Sequence, residues 1–422
     1  MAKTIKVLHP SYYTGFRCIG GECGDLCCKR DWRIIIDKDT YWRYQGITDP
    51  VFSQQIPGLL KRIESDKSND FHYAELVLDE HNTCKFLQKD GLCGIQVKYG
   101  YDYLSRSCQL YPRASTILSD DILEVSLYLT CPETISALFT PKPITFQVSE
   151  FEESDTYLAL KRLAFRVSGS KKGGRLADFA FLIRQGCIDI LQSRNIPLAD
   201  RIFVVGTMLS SLTRHSASAP GTDEINAKIS AHIQIAKDGG LRLESNAEDE
   251  GMRAVMEAAM IKLVLRRAAG GGQGGNLFSG LVKAALAWAS TQHPKGAGAF
   301  KMEDFVKTRT ARYWQSFLTR REYVLENYFV SFVFCRAFPF SEQDELDPYH
   351  HFIILAEQYA MMRILLCAHA TEEEGITDKA LEKTLAALAQ KSQHSQESRV
   401  ILEVFKETGL DSRAHISALL SH

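Results

Sequence analysis

Three absences narrow the class of this 422-residue chain before any motif is considered. It has no excess of charge: 50 Lys and Arg oppose 51 Asp and Glu, for a formal net charge of -1. No overall basic field therefore points to nucleic acid, and no acidic excess points to disorder. It has no long apolar run, since no stretch reaches the ~18 uninterrupted apolar residues that a spanning helix requires. The first apolar segment ends at His9-Pro10, too soon for the hydrophobic part of a secretion signal. Beyond the first third it has little cysteine, only Cys187, Cys335 and Cys367. These absences point to a cytoplasmic, globular chain without a membrane span, whose partners are chosen by local surfaces. In that reducing compartment thiols read as metal ligands or buried groups rather than disulfides.

What is present is concentrated. Eight of the 11 cysteines fall in the first third: Cys18, Cys23, Cys27, Cys28, Cys84, Cys93, Cys108 and Cys131. Four of them stand between positions 18 and 28 with Gly20, Gly21 and Gly24 among them, soft ligands on a backbone free to fold tightly around a metal. The spacings of Cys18, Cys23 and Cys27 suit zinc, whereas the side chains of the adjacent pair Cys27-Cys28 diverge and fit one tetrahedral ion poorly. Either one of that pair is structural or the site is larger than one ion, and an iron–sulfur cluster tolerates diverging ligands.

The pattern divides the chain into a cysteine-rich α+β region at 1–145 and a helical, bundle-like region at 146–422, so that the fold class is predominantly α. In the first, Trp32 to Ile36 reads as a strand, Asp37 or Asp39 as the cap of a helix bearing Tyr41, Trp42 and Tyr44, and roughly Leu59 to Glu64 as a second helix after Pro57. Phe71 to Asp79 reads as a strand. Asp90-Gly91 reads as the turn of a hairpin that brings Cys84 and Cys93 together. Leu104 to Arg113 reads as a loop or short helix, Asp121 to Thr130 as a strand with one wet face, and Pro132 as the start of a helix. Period 3.6 then predicts helices at 152–167, 175–193, 197–214, 223–237, 247–268, 277–290, 302–335, 346–370, 376–391 and 396–408.

Other signals weigh less. Gly270, Gly272 and Gly275 fit a G-x-G-x-x-G pattern but follow a helix rather than a strand, so they read as a linker. Glu326-Asn327-Tyr328 and Arg336 to Phe340 end a long aromatic helix. Its bland reading is core packing, and its functional reading puts Asn327, Tyr328 and Arg336 on a cofactor or lysine pocket where aromatics favour a cation. Arg106, Tyr111 and Arg113 beside Cys108 either contact a cluster or a carboxylate or simply brace the loop. His350, His351 and His369 read as solvated or core histidines.

The cluster Cys18 to Cys28 followed by Trp32-Arg33-Ile34, the stretches Gly91-Leu92-Cys93 and Leu104 to Arg113, and Glu326-Asn327-Tyr328 with Phe338-Pro339-Phe340 resemble the flagellin lysine-N-methylase (FliB) family. The N-terminal part is similar to a broader cysteine-cluster family described as zinc- or iron-chelating. The resemblance is specific at Phe16 to Pro132 and Leu325 to Phe340. It implies S-adenosylmethionine-dependent N-methylation of lysine side chains on flagellin, with a [4Fe–4S] cluster, or zinc as alternative, held by the eight N-terminal cysteines. It names no catalytic residue; the cofactor-binding candidates Asn327, Tyr328, Arg336 and Arg113 come from the reading of the residues themselves.

A lysine amine with a pKa of about 10.4 must lose its proton before polar transfer, which needs no iron. Enzymes that cleave S-adenosylmethionine by one electron carry Cys-x3-Cys-x2-Cys. Here Cys23 and Cys27 match the first spacing, but Arg30 stands at the third position. That departure leaves a structural cluster or a differently ligated open iron. Zinc-stabilised polar transfer, a non-enzymatic metal-dependent adaptor for flagellin, and a redox or metal-storage protein are the competing readings.

Overall fold

The computed structural model describes residues 3–421 apart from 24–26, 31, 65–67, 119–121, 168–173, 214–220, 244–246, 270–274, 293–301, 341–345 and 394–396. The Gly270 to Gly275 run lies almost wholly outside the described residues.

The N-terminal third carries two sheets and short helices. In chain order these are β1 (Thr4–Pro10), β2 (Ile34–Ile36), α1 (Lys38–Gln45), α2 (Pro50–Leu59), β3 (Leu60–Arg62), β4 (Ala74–Leu76), α3 (Gly94–Tyr99) and α4 (Arg106–Leu110). They are followed by β5 (Arg113–Ile117), β6 (Leu123–Leu127), α5 (Pro132–Ser136), β7 (Phe146–Glu152), α6 (Asp155–Leu163) and β8 (Phe165–Arg166). The larger sheet runs β7-β1-β6-β5-β8 and the smaller one β2-β4-β3. β1 runs parallel to β6 and pairs antiparallel with β7 from Thr4↔Glu152 to Pro10↔Phe146. Asp37 caps α1 by accepting from the Thr40 amide at 2.9 Å, and Asp49 caps α2 ahead of Pro50.

The rest is helical: α7 (Ala180–Leu191), α8 (Leu198–Thr213), α9 (Thr222–Asp238), α10 (Ala247–Ala269), α11 (Gly275–Gln292), α12 (Met302–Cys335), α13 (Pro348–His369), α14 (Asp378–Gln393), α15 (Glu397–Glu407) and α16 (Arg413–Leu420). α13 is long and apolar enough to cross a membrane, but that apolar window lies wholly inside the protein. It is the central helix of the helical core, packed by α8, α12, α14 and α16. A Cβ at Gly206 of α8 would sit 2.4 Å from the Phe352 ring, so the α8–α13 crossing is as close as it is because that residue is glycine.

Several expectations are corrected. α2 runs through Pro57 and ends at Leu59, where the chain turns into β3, so no helix covers 59–64. The expected hairpin around Asp90-Gly91 reduces to a single bridge, Leu87↔Cys93, because Cys93 already opens α3. β6 has no wet face: all five residues are buried, and α12 packs against this part of the sheet. The expected division at 145 falls inside the larger sheet, whose strands β7 and β8 come after it. α6 is shorter than 152–167 because these strands flank it, and α16 follows the last predicted helix.

The polar residues of β6 are buried in a particular way. Glu124 and Arg184 of α7 are each 1% exposed and form a two-pronged ion pair, Nη1 to Oε2 and Nη2 to Oε1, the latter 2.9 Å. Thr116 of β5 donates to Glu124 Oε2 at 2.9 Å, and the guanidinium lies 4.6 Å from the centre of the Phe334 ring. Removing one partner leaves a buried charge without its counter-charge. Glu124→Ala is therefore expected to lower unfolding free energy by about 3–5 kcal/mol, read as a shift in urea midpoint. The double replacement Glu124→Leu with Arg184→Met should recover most of that loss.

Candidate functional site

All eight N-terminal cysteines line one cavity of about 810 Å³. Local chain geometry brings them there. Cys18 and Cys23 flank the turn Gly20–Glu22, and Cys27 and Cys28 open the turn Cys27–Lys29. This arm docks on the Asp90-Gly91 turn through glycine. A Cβ at Gly21 would lie 2.3 Å from the Asp90 carbonyl oxygen, and Gly91, at φ +81°, sits so close that its own Cβ would be 2.8 Å from Gly21 Cα. The Cys84 amide donates to the Cys28 carbonyl at 2.8 Å. Cys93 precedes α3, Cys108 lies in α4 with its amide donating to Ser105 Oγ at 3.3 Å, and Cys131 precedes α5.

The thiols fall into two groups by their electrostatic neighbours. Cys27 and Cys28 have sulfurs 4.0 Å apart. Hydrogen bonding from the Cys28 thiol, opposed by burial and assisted by the Arg30 charge, lowers the Cys27 pKa to about 7. The same bond and burial push Cys28 up. Burial pushes Cys84 and Cys108 up to about 12, with Cys93 and Cys27 adding repulsion at Cys84, and Cys84, Cys27 and Cys93 at Cys108. Cys131, raised mainly by burial, has Cys23 as its charged neighbour instead.

Arg30 occupies the position at which a third cysteine of the one-electron pattern would fall. It is 6% exposed, donates to the Thr130 carbonyl at 2.6 Å and lies 5.1 Å from the centre of the Trp32 ring. Trp32 packs edge-on to Tyr111 at 5.0 Å, and the Tyr111 hydroxyl lies 3.2 Å from Thr130 Oγ1. This buried wall adjoins both thiol groups, since Tyr111 responds to the charge of Cys131 and of Cys27.

Among the described residues no three His, Cys, Asp or Glu converge closely enough to hold a single metal ion. Thiolates on one zinc, each about 2.3 Å from the metal, stand about 3.8 Å apart, a spacing approached by the chain neighbours Cys27 and Cys28. In a four-iron cluster each thiolate has its own iron, so ligands spread around a larger volume. The donor set is all soft thiols, a type that zinc and iron–sulfur clusters both take.

The sequence comparisons bear on the other half of the chain. Residues 184–419, from α7 to α16, match the FliB lysine N-methylase C-terminal domain. The chain belongs to the FliB lysine N-methylase family. That family is one of protein-lysine N-methyltransferases. The chain is 31% identical over 166 residues to the flagellar biosynthetic protein FliU of Salmonella muenchen, covering 38% of this chain and 92% of that protein. It is 33% identical over 142 residues to lysine-N-methylases of Salmonella typhimurium and Salmonella choleraesuis, covering 32% of this chain and 33% of each relative. It thus spans about a third of the length of those two methylases. No solved structure matches.

The family match covers none of the eight cysteines, but it does include the motif residues expected at a cofactor. Asn327 and Tyr328 are fully buried and do not line the cavity. Asn327 Nδ2 donates to the Leu138 and Thr140 carbonyls at 3.0 and 2.8 Å, and the Tyr328 hydroxyl faces Gln358 at 3.4 Å. Glu326 beside them takes Arg194 Nη2 at 2.8 Å and Arg201 Nη1 at 2.7 Å, and Arg194 Nη1 reaches the Pro141 carbonyl at 2.7 Å. The motif therefore grips the stretch after α5. Arg336 is half-buried at the end of α12 and outside the lining.

Arg113 does line the cavity, as do Tyr111, Ser105 and Gln109. Arg106 braces α4 through Gln109 at 3.1 Å. His350 pairs with Asp347, His351 packs on Phe338, and His369 bonds the Leu281 carbonyl. The sequence reading missed the contribution of Gly21 and Gly91, for which the glycines between cysteines were the available signal. Gly21→Ala is expected to part the two cysteine turns and lower metal bound per chain, measured by elemental analysis, with helix content by circular dichroism unchanged.

Proposed function

We propose that the protein transfers methyl groups from S-adenosylmethionine to lysine side chains of flagellin, with a four-iron cluster held by its N-terminal thiols. The carrying observation is the convergence of eight cysteines on one cavity in a chain whose helical part belongs to a lysine N-methylase family. Lysine N-methylation follows from the family. Flagellin as the substrate rests on the flagellar name borne by one relative. The reduced thiols the site needs agree with a cytoplasmic location.

The ligands are drawn first from Cys27, Cys28, Cys84, Cys93 and Cys108, each of which feels the charge of another thiol of this set or acts on one by its own. When bound, the cluster supplies irons able to exchange an electron or take a further ligand. The chain supplies the remainder. A cavity of this volume is in the range for a cofactor-sized ligand. Trp32, Tyr44, Phe86 and Tyr101 line it, and aromatic rings suit a sulfonium cation. Arg113 offers a guanidinium to a carboxylate.

Anaerobically purified protein should absorb broadly near about 400 nm and carry about four irons with matching labile sulfide. It should also place labelled methyl from S-adenosylmethionine on flagellin lysines. Colourless protein holding one zinc ion would overturn the cluster, and unlabelled flagellin would overturn the substrate. Cys84→Ala and Cys108→Ala are expected to lose the absorbance, while Cys187→Ala, a thiol of the helical core, should keep it.

A further inference from the structure

β7 stands at one end of the larger sheet, so among the described residues its outer edge has no strand beside it. The bonds at its two ends fix which residues face that edge. The Ser11 amide donates to the Thr145 carbonyl at 2.8 Å, and the Glu153 amide donates to the Lys3 carbonyl at 2.8 Å. Directly bonded pairs alternate along an antiparallel ladder, so between these ends β7 bonds β1 at Gln147, Ser149 and Phe151. Phe146, Val148, Glu150 and Glu152 aim their amides and carbonyls away from β1, and among the described residues no other backbone group takes them up.

The side chains of those four residues share one face. Phe146 stacks on Phe334 of α12 with ring centres 4.6 Å apart, and beyond it the face opens to solvent: Val148 is 51% exposed, and Glu150 and Glu152 are exposed as well. The opposite face is occupied, since Ser149 Oγ lies 2.9 Å from His9 Nε2 and Phe151 packs on Tyr13 and Tyr157. An unpaired edge of this kind is a template for another extended chain. Its charge says which chain. Residues 146–153 hold Glu150, Glu152 and Glu153 and no Lys or Arg. Lys6 of β1 stands opposite Glu150 and offsets it in part, Glu152 stands opposite Thr4, and among the described residues neither carboxylate forms an ion pair. A second copy of the chain would bring its own carboxylates to the edge, whereas a segment with lysine on alternate residues brings the complementary charge.

The edge is also placed for the cavity. β7 runs antiparallel to β1, so its Phe146 end lies where β1 and β6 finish, and the segments that follow those two strands supply Phe16, Arg17 and Tyr128 to the lining. We infer that β7 docks an extended, lysine-bearing segment of the protein substrate by strand addition. Basic residues of that segment lie against Glu150 and Glu152, and the lysine to be methylated lies farther along, past the Phe146 end. This rests on the lysine-methylation reading above and adds to it how the substrate chain is recognised. Backbone bonds supply affinity whatever the side chains, and the two carboxylates select for charge.

The test uses the intact protein and a fluorescein-labelled peptide alternating lysine and valine, followed by anisotropy. Val148→Pro removes an outward amide and none of the bonds to β1, so it should weaken binding roughly fivefold to tenfold with melting temperature unchanged. Peptide variants give a second reading on the unaltered protein. Backbone N-methylation at every lysine and at every valine should differ sharply in effect, one pattern losing binding and the other keeping it. Glu150→Gln combined with Glu152→Gln should weaken binding roughly threefold to tenfold, and a peptide with glutamine in place of lysine should bind wild type and this variant alike. In steady state Val148→Pro should raise KM for flagellin, with iron per chain unchanged. Absence of peptide binding, or equal effects of the two methylation patterns, would overturn the proposal. So would a wild-type dimer that Val148→Pro dissociates, since a second copy would then hold the edge. Strand-wise binding without methyl transfer to flagellin would sink the methylation reading and leave the docking edge standing.

Discussion

A carboxylate inside a protein must have a cation against it, and Glu124 of β6 is such a carboxylate. The sheet could have turned a wet face outward at this strand. Instead the face carries a charge that only Arg184 of α7 satisfies, so sheet and helices are obliged to share one interior. Glu326 repeats the arrangement deeper in the helical part, drawing Arg194 and Arg201 onto α12. Asn327, next in sequence, then extends the grip to the chain that follows α5. The cysteine-lined cavity lies beyond these contacts yet takes its shape from them, because Cys131 and Glu133 sit at the near end of the gripped stretch.

The division of labour between the two halves follows. Residues 184–419 carry the family match, while the thiols, aromatic walls and charged lining residues of the cavity all lie between Phe16 and Glu133. The helical part acts on the cavity as a frame. On the cavity side, the thiols come from turns and helix starts in five separate stretches, and two of those stretches meet at glycines that have no side chains to interpose.

Much of the helical region was legible because period 3.6 is written over long spans. The helix predicted at 302–335 coincides with Met302–Cys335, and most others differ by a few residues at their ends. That the eight N-terminal cysteines belong together was legible, since lopsided cysteine usage survives any error in secondary structure, and they do line one cavity. What was not legible depended on distant partners. Alternation at Leu123 to Leu127 suggested one wet face, because nothing local to β6 announces Arg184 sixty positions later. β8 was absorbed into the helix predicted at 152–167 and β7 was not predicted at all, since an edge strand of mixed polarity such as Phe146–Glu152 has little signature until β1 is beside it. Asn327 and Tyr328 were read either as core packing or as part of a cofactor or lysine pocket, and they make buried hydrogen bonds away from the cavity.

The pairing of β1 with β7 also sets an order of assembly. β1 leaves the ribosome first, but its partner along the full length from Thr4 to Pro10 is residues 146–152, and the hook on the chain after Cys131 is Asn327, made much later. Contacts between such distant parts form slowly, because a long loop must close before they are rewarded. During synthesis the thiols from Cys18 to Cys108 are therefore exposed well before the frame that holds Cys131 in place exists. The cavity that gathers all eight thiols thus belongs to the completed chain.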